Sequence, residues 1–499
     1  MRVVWLCLLA LAAQTAAGPK FEPMQRDVLA LGASFVNAWA DPDGDGDPDL
    51  FVGFNGTANR LYRNDAGVLI DVAAVAGVAD ARAARAAAWG DFDADGDPDL
   101  LVGFAPGAGS VLRLYRNDRP AARTAMAPMH FTDVTDAAGV GMAAGAVRQP
   151  AWIDIDADDD LDLFVAFRDR GNVLFRNDAG RFTDIAAGAG LADARRSVGA
   201  VWFDADEDGD LDLYLANMDG DQNALYRNDA GRFTDVAAEA GLNWGGRAAG
   251  EAANGTVRPC AADVDNDGRF DLFTANYGPN GLFLNKGAGK FEDVSRAWGI
   301  AIDARYDTCL FGDFDNDGRI DLYVNGTVTG GTSYRDYLFR NAGARFEDVT
   351  PENIVAIQAD HGAAWADVDA DGDLDLALTG SRPDGMHWIM RNLLAAPAAA
   401  RSLQVQVLDS KGRATRAGAE VRVFAAGTRK LVAAGLVDSG SGYDAQNDLP
   451  VHVGLQGSSP VDIEVTFPAA GKRVLGRVRN VSPGSARGRV ITVRVGASQ

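Results

Sequence analysis

The chain has 499 residues, 47% of them hydrophobic and 8% aromatic, with 47 basic and 70 acidic side chains and a formal net charge of −23. Length and hydrophobic content fit one to three ordinary globular domains. The acidic excess argues against nucleic acid as a partner, because phosphate contacts need a basic surface.

Residues 1–17 carry Arg2, an apolar run from Val3 to Ala13, and small residues ending Thr15-Ala16-Ala17. That order matches a secretory signal cleaved after Ala17. Cys7 lies inside the apolar run and not at the cleavage point, which speaks against lipid attachment. No later stretch is apolar for long enough to span a membrane. The expected destination is therefore secreted, extracellular or periplasmic, where calcium is plentiful.

From residue 41 onward one pattern recurs, seen as D-x-D-x-D-G-x-x-D-L at Asp91–Leu100. Copies begin at Asp41, Asp91, Asp154, Asp204, Asp263, Asp313 and Asp367, with spacings of 50, 63, 50, 59, 50 and 54 residues. A period near 50 identifies a repeat architecture. Within each copy, carboxylates at positions 1, 3, 5 and 9 of a tight loop can turn inward around one point. A hard cation seeking six to eight oxygens suits that arrangement. Glycine at position 6 supplies the positive φ of a sharp turn. The first half resembles an EF-hand loop, but position 12 (Val102) is not the bidentate Glu an EF-hand needs. The residues after position 9 read as a strand, which makes this a calcium-binding β-hairpin loop.

The expected ligand sets are Asp41, Asp43, Asp45 and Asp49; Asp91, Asp93, Asp95 and Asp99; Asp154, Asp156, Asp158 and Asp162; and Asp204, Asp206, Asp208 and Asp212. They continue with Asp263, Asp265, Asp267 and Asp271; Asp313, Asp315, Asp317 and Asp321; and Asp367, Asp369, Asp371 and Asp375. Position 7 adds a backbone carbonyl from Asp47, Asp97, Asp160, Asp210, Arg269, Arg319 or Asp373. One copy departs, with Asp159 where the others have glycine. Turn formation alone does not call for four carboxylates in one turn, which repel each other without a counter-ion. Magnesium prefers a water-rich octahedral shell, so Ca²⁺, up to seven ions, is the expected metal.

Each repeat reads as four short strands. The first ends in a large ring two residues before the loop (Trp39, Trp89, Trp152, Trp202, Phe311, Trp365), with Ala261 the exception. The second follows the loop. The third ends at Asn64, Asn117, Asn177, Asn228, Asn285, Asn341 or Asn392, usually after Arg, and a turn leads to the fourth. Four short strands per repeat make one blade of a β-propeller. The expected fold class is all-β, a seven-bladed propeller over residues 18–392. The seventh repeat lacks a fourth strand, and Phe21-Glu22 supplies a matching fragment that would close the ring and remove an open edge. The ring residues are expected to pack between sheets. The Arg side chains are expected to neutralise the acidic loops.

Residues 393–400 read as an Ala-rich linker. From 401 to 499 the chain holds 14 basic against 7 acidic side chains, whereas the preceding part has an acidic excess of 30. Alternating runs such as Leu403–Leu408, Glu420–Ala425 and Asp462–Phe467 suggest a small β-sandwich that docks on the acidic part. Cys260 and Cys309 precede the fifth and sixth loops and fit either a disulfide or two buried thiols. Sequons occur at Asn55, Asn254, Asn325 and Asn480.

Residues 30–392 resemble FG-GAP (VCBS-type) repeats. Gly418–Val423, Gly440–Tyr443 and Val451–Leu455 are similar to the ASPIC/UnbV domain, and the order of the two resembles the cartilage acidic protein family. The resemblance implies an extracellular calcium-binding protein with adhesive or matrix roles, and it carries no active site to transfer. An enzyme is not expected: His130, His361, His387 and His452 lack metal-ligand spacing, and no nucleophile elbow or phosphate loop appears. The leading reading is a secreted scaffold for an extracellular protein or glycan. A calcium-dependent lectin, with sugar near Gly326–Thr332 or Gly245–Thr256, is the alternative, followed by a polysaccharide-active enzyme.

Overall fold

The computed structural model describes residues 18–107, 109–119, 128–245, 255–440, 443–468, 471–483 and 490–496. Residues 1–17, the expected secretory signal, and residues 246–254, within one of the two candidate sugar-binding inserts, lie outside the described residues. The protein is all-β, and none of its described helices is long and apolar enough to cross a membrane.

Each motif loop joins the first and second strands of a four-stranded antiparallel unit. The second repeat is representative: Ala84–Gly90, Asp99–Phe104, Leu112–Asn117 and Phe131–Asp133 pair in that order. The first two strands are buried along almost their whole length, as their near-continuous apolar sequences require. In the last repeat the fourth strand is Phe21–Pro23, which pairs with Met390–Asn392, so the N-terminal fragment completes the final unit.

Neighbouring units meet through the ring residues. Trp39, Trp89, Trp152, Trp202 and Trp365 are buried. The Trp89 indole N–H donates to Ala38 O of the preceding unit at 3.2 Å, and Trp152 repeats the contact with Ala88 O at 3.3 Å. Gly90 is required beneath this stack, because a Cβ there would stand 2.6 Å from the Trp152 ring. The disulfide Cys260–Cys309 joins the fifth and sixth inner strands.

Two local features escaped the sequence pattern. After the fourth strand come one-turn helices such as Ala73–Ala76 and Thr135–Ala138, each stopped by a left-handed glycine (Gly77 φ 88°, Gly139 φ 86°). The first strand also carries a β-bulge at the same place in successive units. The register skips Phe35, Arg85, Arg148, Val198, Val257 and Asp307. A bulge turns the extra side chain out of the ladder.

The C-terminal part forms two sheets. One orders Val451–Gly454, Ser402–Asp409 and Val490–Val495. The other orders Leu431–Leu436, Glu420–Ala425, Val461–Pro468 and Arg473–Val481. Their alternating apolar faces share one buried core with the third and fourth repeats, including Val405, Val421, Ile463, Trp202 and Leu213. The segment 393–400 contains a helical turn, Ala396–Ala399, whose Ala398 O accepts from Asn316 Nδ2 at 3.3 Å.

Candidate metal centre

The carboxylates brought together by the motif form tight groups. Ligand oxygens of Asp41, Asp43 and Asp45 lie within 4.8 Å of one another. The same holds for Asp91, Asp93 and Asp99; Asp154, Asp156 and Asp162; Asp204, Asp206 and Asp212; and Asp263, Asp265 and Asp271.

The loop backbone builds this geometry. The outer oxygen of the position-1 carboxylate accepts the position-6 amide: Gly46 to Asp41 at 3.0 Å, Gly96 to Asp91 at 3.0 Å, Gly268 to Asp263 at 2.9 Å, Gly318 to Asp313 at 2.7 Å and Gly372 to Asp367 at 3.1 Å. The position-5 carboxylate accepts the position-7 amide, as from Asp47 to Asp45 and Arg269 to Asp267, both at 2.9 Å. Position 9 is gripped from the next strand: the Asn amide donates to Asp49 at 2.7 Å, Asp99 at 2.8 Å, Asp162 at 2.7 Å, Asp212 at 2.8 Å and Asp375 at 2.8 Å. Position 7 side chains tie the loop to the following turn. Asp47 accepts from Ala66 N at 2.8 Å, and Asp373 from Leu394 N at 3.0 Å.

What remains inside the first, second, fourth, sixth and seventh loops is carboxylate oxygen without a donor. Asp91 Oδ1, Asp93 Oδ1, Asp204 Oδ1, Asp315 Oδ1, Asp321 Oδ2 and Asp369 Oδ1 are buried and have no hydrogen-bond partner. Orphaned buried carboxylate oxygens are costly unless a cation satisfies them. The same strain appears in their titration. Burial, then neighbouring carboxylates, pushes Asp91 up to about 7, Asp263 to about 7 and Asp367 to about 8. Asp41 and Asp315 rise to about 6 for the same reasons. An oxygen-only donor set of this kind fits Ca²⁺.

A second left-handed residue was not legible in the motif. Position 4 has positive φ in every copy: Gly44, Ala94 (61°), Ala157 (61°), Glu207 (66°), Asn266 (56°), Asn316 (52°) and Ala370 (54°). Side chains with a Cβ cost about 1–2 kcal/mol there.

The C-terminal domain lies on these loops. The Arg416 guanidinium donates to Asp154 Oδ2 at 3.0 Å and also pairs with Asp159, which Arg413 approaches at 3.5 Å. Arg473 donates to Asp204 Oδ2 at 2.7 Å. Arg422 reaches Gly268 O at 2.7 Å, His452 Nε2 meets Asn316 Oδ1 at 2.8 Å, and Gln404 donates to Asp367 Oδ2 at 3.2 Å. Loops three to seven are thus covered. Arg416 and Arg473 take oxygens that already accept loop amides, and Asp204 Oδ1 stays unpartnered.

From the same domain, residues 438–440 and 443–448 run along the first strands of the repeats. Ser439 O accepts from Trp152 N at 2.6 Å. Ala445–Gln446 pair in parallel with Asn37–Ala38. The Gln446 side chain accepts from Trp89 N at 2.6 Å, and Asn447 Oδ1 accepts from Trp365 N at 2.9 Å.

The Arg residues at the ends of the third strands behave differently from expectation. Arg63, Arg116, Arg176 and Arg227 pair with the Asp two residues on, at 2.7–2.9 Å. Arg391 does reach a loop carboxylate, Asp369, at 3.5 Å. A side chain on a strand points to the same face as residue i+2, and that nearer carboxylate wins.

Models of known families match both parts. The FG-GAP-like repeat matches residues 41–102, 154–215, 204–274 and 263–324, and the ASPIC and UnbV model matches 410–488. Among curated proteins, cartilage acidic protein 1 of Homo sapiens is 25% identical over 312 residues, covering 60% of this chain and 44% of the relative. The Xenopus tropicalis protein of the same name is 27% identical over 260 residues, covering 49% and 38%. The chain spans about two-fifths of the length of these relatives. Among solved structures, an Agrocybe aegerita lectin that recognises non-reducing terminal N-acetylglucosamine gives a TM-score of 0.39 at 18% identity, covering 64% of this chain and 81% of that one. The BBS1N–ARL6DN complex gives 0.43 at 11% identity, covering 77% and 97%. At these scores the likeness bears on neither fold detail nor function.

Proposed function

We propose, from the chain's membership of the family that joins FG-GAP-like repeats to an ASPIC and UnbV domain, that it is a secreted calcium-binding scaffold. In this reading a seven-bladed β-propeller, residues 18–392, holds up to seven Ca²⁺. A small β-sandwich, residues 401–499, caps the loop face, and the assembly presents its remaining surface to an extracellular protein or glycan. The observation that carries the reading is the set of buried, unpartnered carboxylate oxygens aimed into the loops.

Calcium here is structural. When bound, it neutralises carboxylates that otherwise repel each other. The chain's own residues do the rest: loop amides orient the carboxylates, and the Asn amides fix position 9. Each filled site adds about 2.7 kcal/mol at a hundredfold excess of calcium over its dissociation constant. A cation-bound carboxylate is held ionised and cannot act as a general acid, which places catalysis outside this proposal. Thermal unfolding with calcium and with excess chelator tests it. The expected result is a large drop in Tm on chelation, and an unchanged Tm overturns the calcium role. A pull-down from the extracellular fraction, with and without calcium, tests the scaffold role: recovery of no protein or glycan in calcium counts against it.

A further inference from the structure

Midway along the segment that follows the innermost strands, Tyr443 and Asp444 are surrounded by the bulged residues. Tyr443 packs with Val198 and Val257. Asp444 faces His361, which occupies the bulge position of the last repeat. Thr379 pairs with Asp360 and Gly362 and skips it, and its φ is 63°. Three ligand-type atoms from three chain segments meet there. His361 Nδ1 stands 3.5 Å from Asp444 Oδ2 and 3.7 Å from Asp307 Oδ2. All three atoms, and Asp444 Oδ1, are buried without a hydrogen-bond partner, and the Asp444 side chain is fully buried.

We propose that Asp307, His361 and Asp444 bind a small first-row divalent cation of the zinc class, at a site separate from the calcium loops.

The separations favour coordination over hydrogen bonding. A hydrogen-bonded imidazole and carboxylate close to about 2.7–3.2 Å. Ligands at the corners of a tetrahedron with bonds of 2.0–2.2 Å stand about 3.3–3.6 Å apart. The donor set also differs from the loops, since one imidazole nitrogen with carboxylates suits zinc-class ions, whereas the loops offer oxygen alone. Outer partners hold two of the three groups in place, as metal ligands require. Tyr277 donates its hydroxyl to Asp307 Oδ1 at 3.0 Å, which leaves Oδ2 free. The His361 ring stacks on Phe35 at 4.6 Å and meets Tyr443 edge-on at 5.8 Å.

The nearby cations face elsewhere. Arg85 lies over the Phe35 ring at 4.3 Å and Arg148 over the Tyr443 ring at 5.9 Å. An inserted cation would supply the missing counter-charge and tie the C-terminal domain to the sixth and seventh repeats at once.

The test is a titration of zinc chloride into the full chain saturated with calcium, read by calorimetry, with Co²⁺ as a spectroscopic substitute. The expected result is one zinc equivalent beyond the calcium sites, with visible Co²⁺ bands of low-symmetry nitrogen and oxygen ligation. His361→Gln and Asp307→Asn, each checked for native circular dichroism, should weaken zinc by at least about tenfold and leave calcium stoichiometry unchanged. Absence of zinc binding by the wild-type chain in saturating calcium overturns the proposal. So does zinc binding that His361→Gln leaves unaltered, because that zinc would sit in the aspartate loops.

Discussion

Arg416 donates to Asp154 at 3.0 Å across 262 residues of chain, and the same guanidinium holds Asp159. Asp159 is the one loop position where the repeat departs from glycine, and its φ of 75° keeps the glycine-like turn. The departure is therefore a docking residue. Burial raises the Asp154 carboxyl to about 7 although Arg416 pulls it down. Removing a partner from a buried pair costs about 3–5 kcal/mol. Arg416→Ala should approach the lower end of that range in urea unfolding, since Asp159 is partly exposed. Lys411→Ala, a 64% exposed side chain 3.7 Å from Asp159, should cost less than about 1 kcal/mol. Equal losses in the two variants would sink the docking argument.

Without cations, the loops impose a pH dependence of defined sign. Asp91, Asp263 and Asp373 are pushed up to about 7, and Asp271 and Asp367 to about 8, above the ordinary value of 3.8. The folded chain then holds these protons more tightly than the unfolded one. Its stability from this source is complete below about pH 4 and declines as pH rises to about 8. Chelator-treated protein should melt higher at pH 5 than at pH 8. Calcium, which binds the ionised form, should reverse the order. A chelated sample that melts higher at pH 8 contradicts the assignment.

The asparagine ending each third strand does more than mark a turn. Asn341 Nδ2 donates to Val264 O of the neighbouring repeat at 2.8 Å and to Ile320 O at 3.1 Å, while its amide holds Asp321 at 2.7 Å. Asn64, Asn117, Asn177, Asn285 and Asn392 bridge to the adjacent repeat in the same way. Asn341→Ala orphans buried carbonyls, each worth about 1–3 kcal/mol. We expect a loss of about 2–4 kcal/mol in denaturant unfolding, and a loss below 0.5 would refute the bridge.

The last repeat takes its fourth strand from Phe21–Pro23. Phe21 is 5% exposed and its carbonyl accepts from Asn353 Nδ2 at 2.7 Å. Phe21→Ala should destabilise by about 3 kcal/mol, and deletion of residues 18–26 should lower Tm further. Equal melting of the deletion variant and the parent would show that the array does not depend on this strand.

The loops, the tryptophan row and the closing strand were legible because a repeated motif averages over local noise and the hydrophobic period is strong. Features set by tertiary contacts were not. Asp159 reads as an error until Arg416 is placed beside it. The bulges depend on register, which no residue type announces: Phe35, Arg85, Val198 and Asp307 share a position and no chemistry. The third-strand Arg residues act on the loops through space, but their closest partner is the carboxylate two residues on, which lies outside the motif. Cys260 and Cys309 could be paired only once adjacent strands were in view.

Phe21 and Asn392 sit side by side at opposite ends of the repeat array. Ribosomes deliver the N-terminus first, so Phe21–Pro23 stays hydrated and without a strand partner until residues 390–392 have been made. The last repeat can therefore complete its sheet only after the whole array has been synthesised.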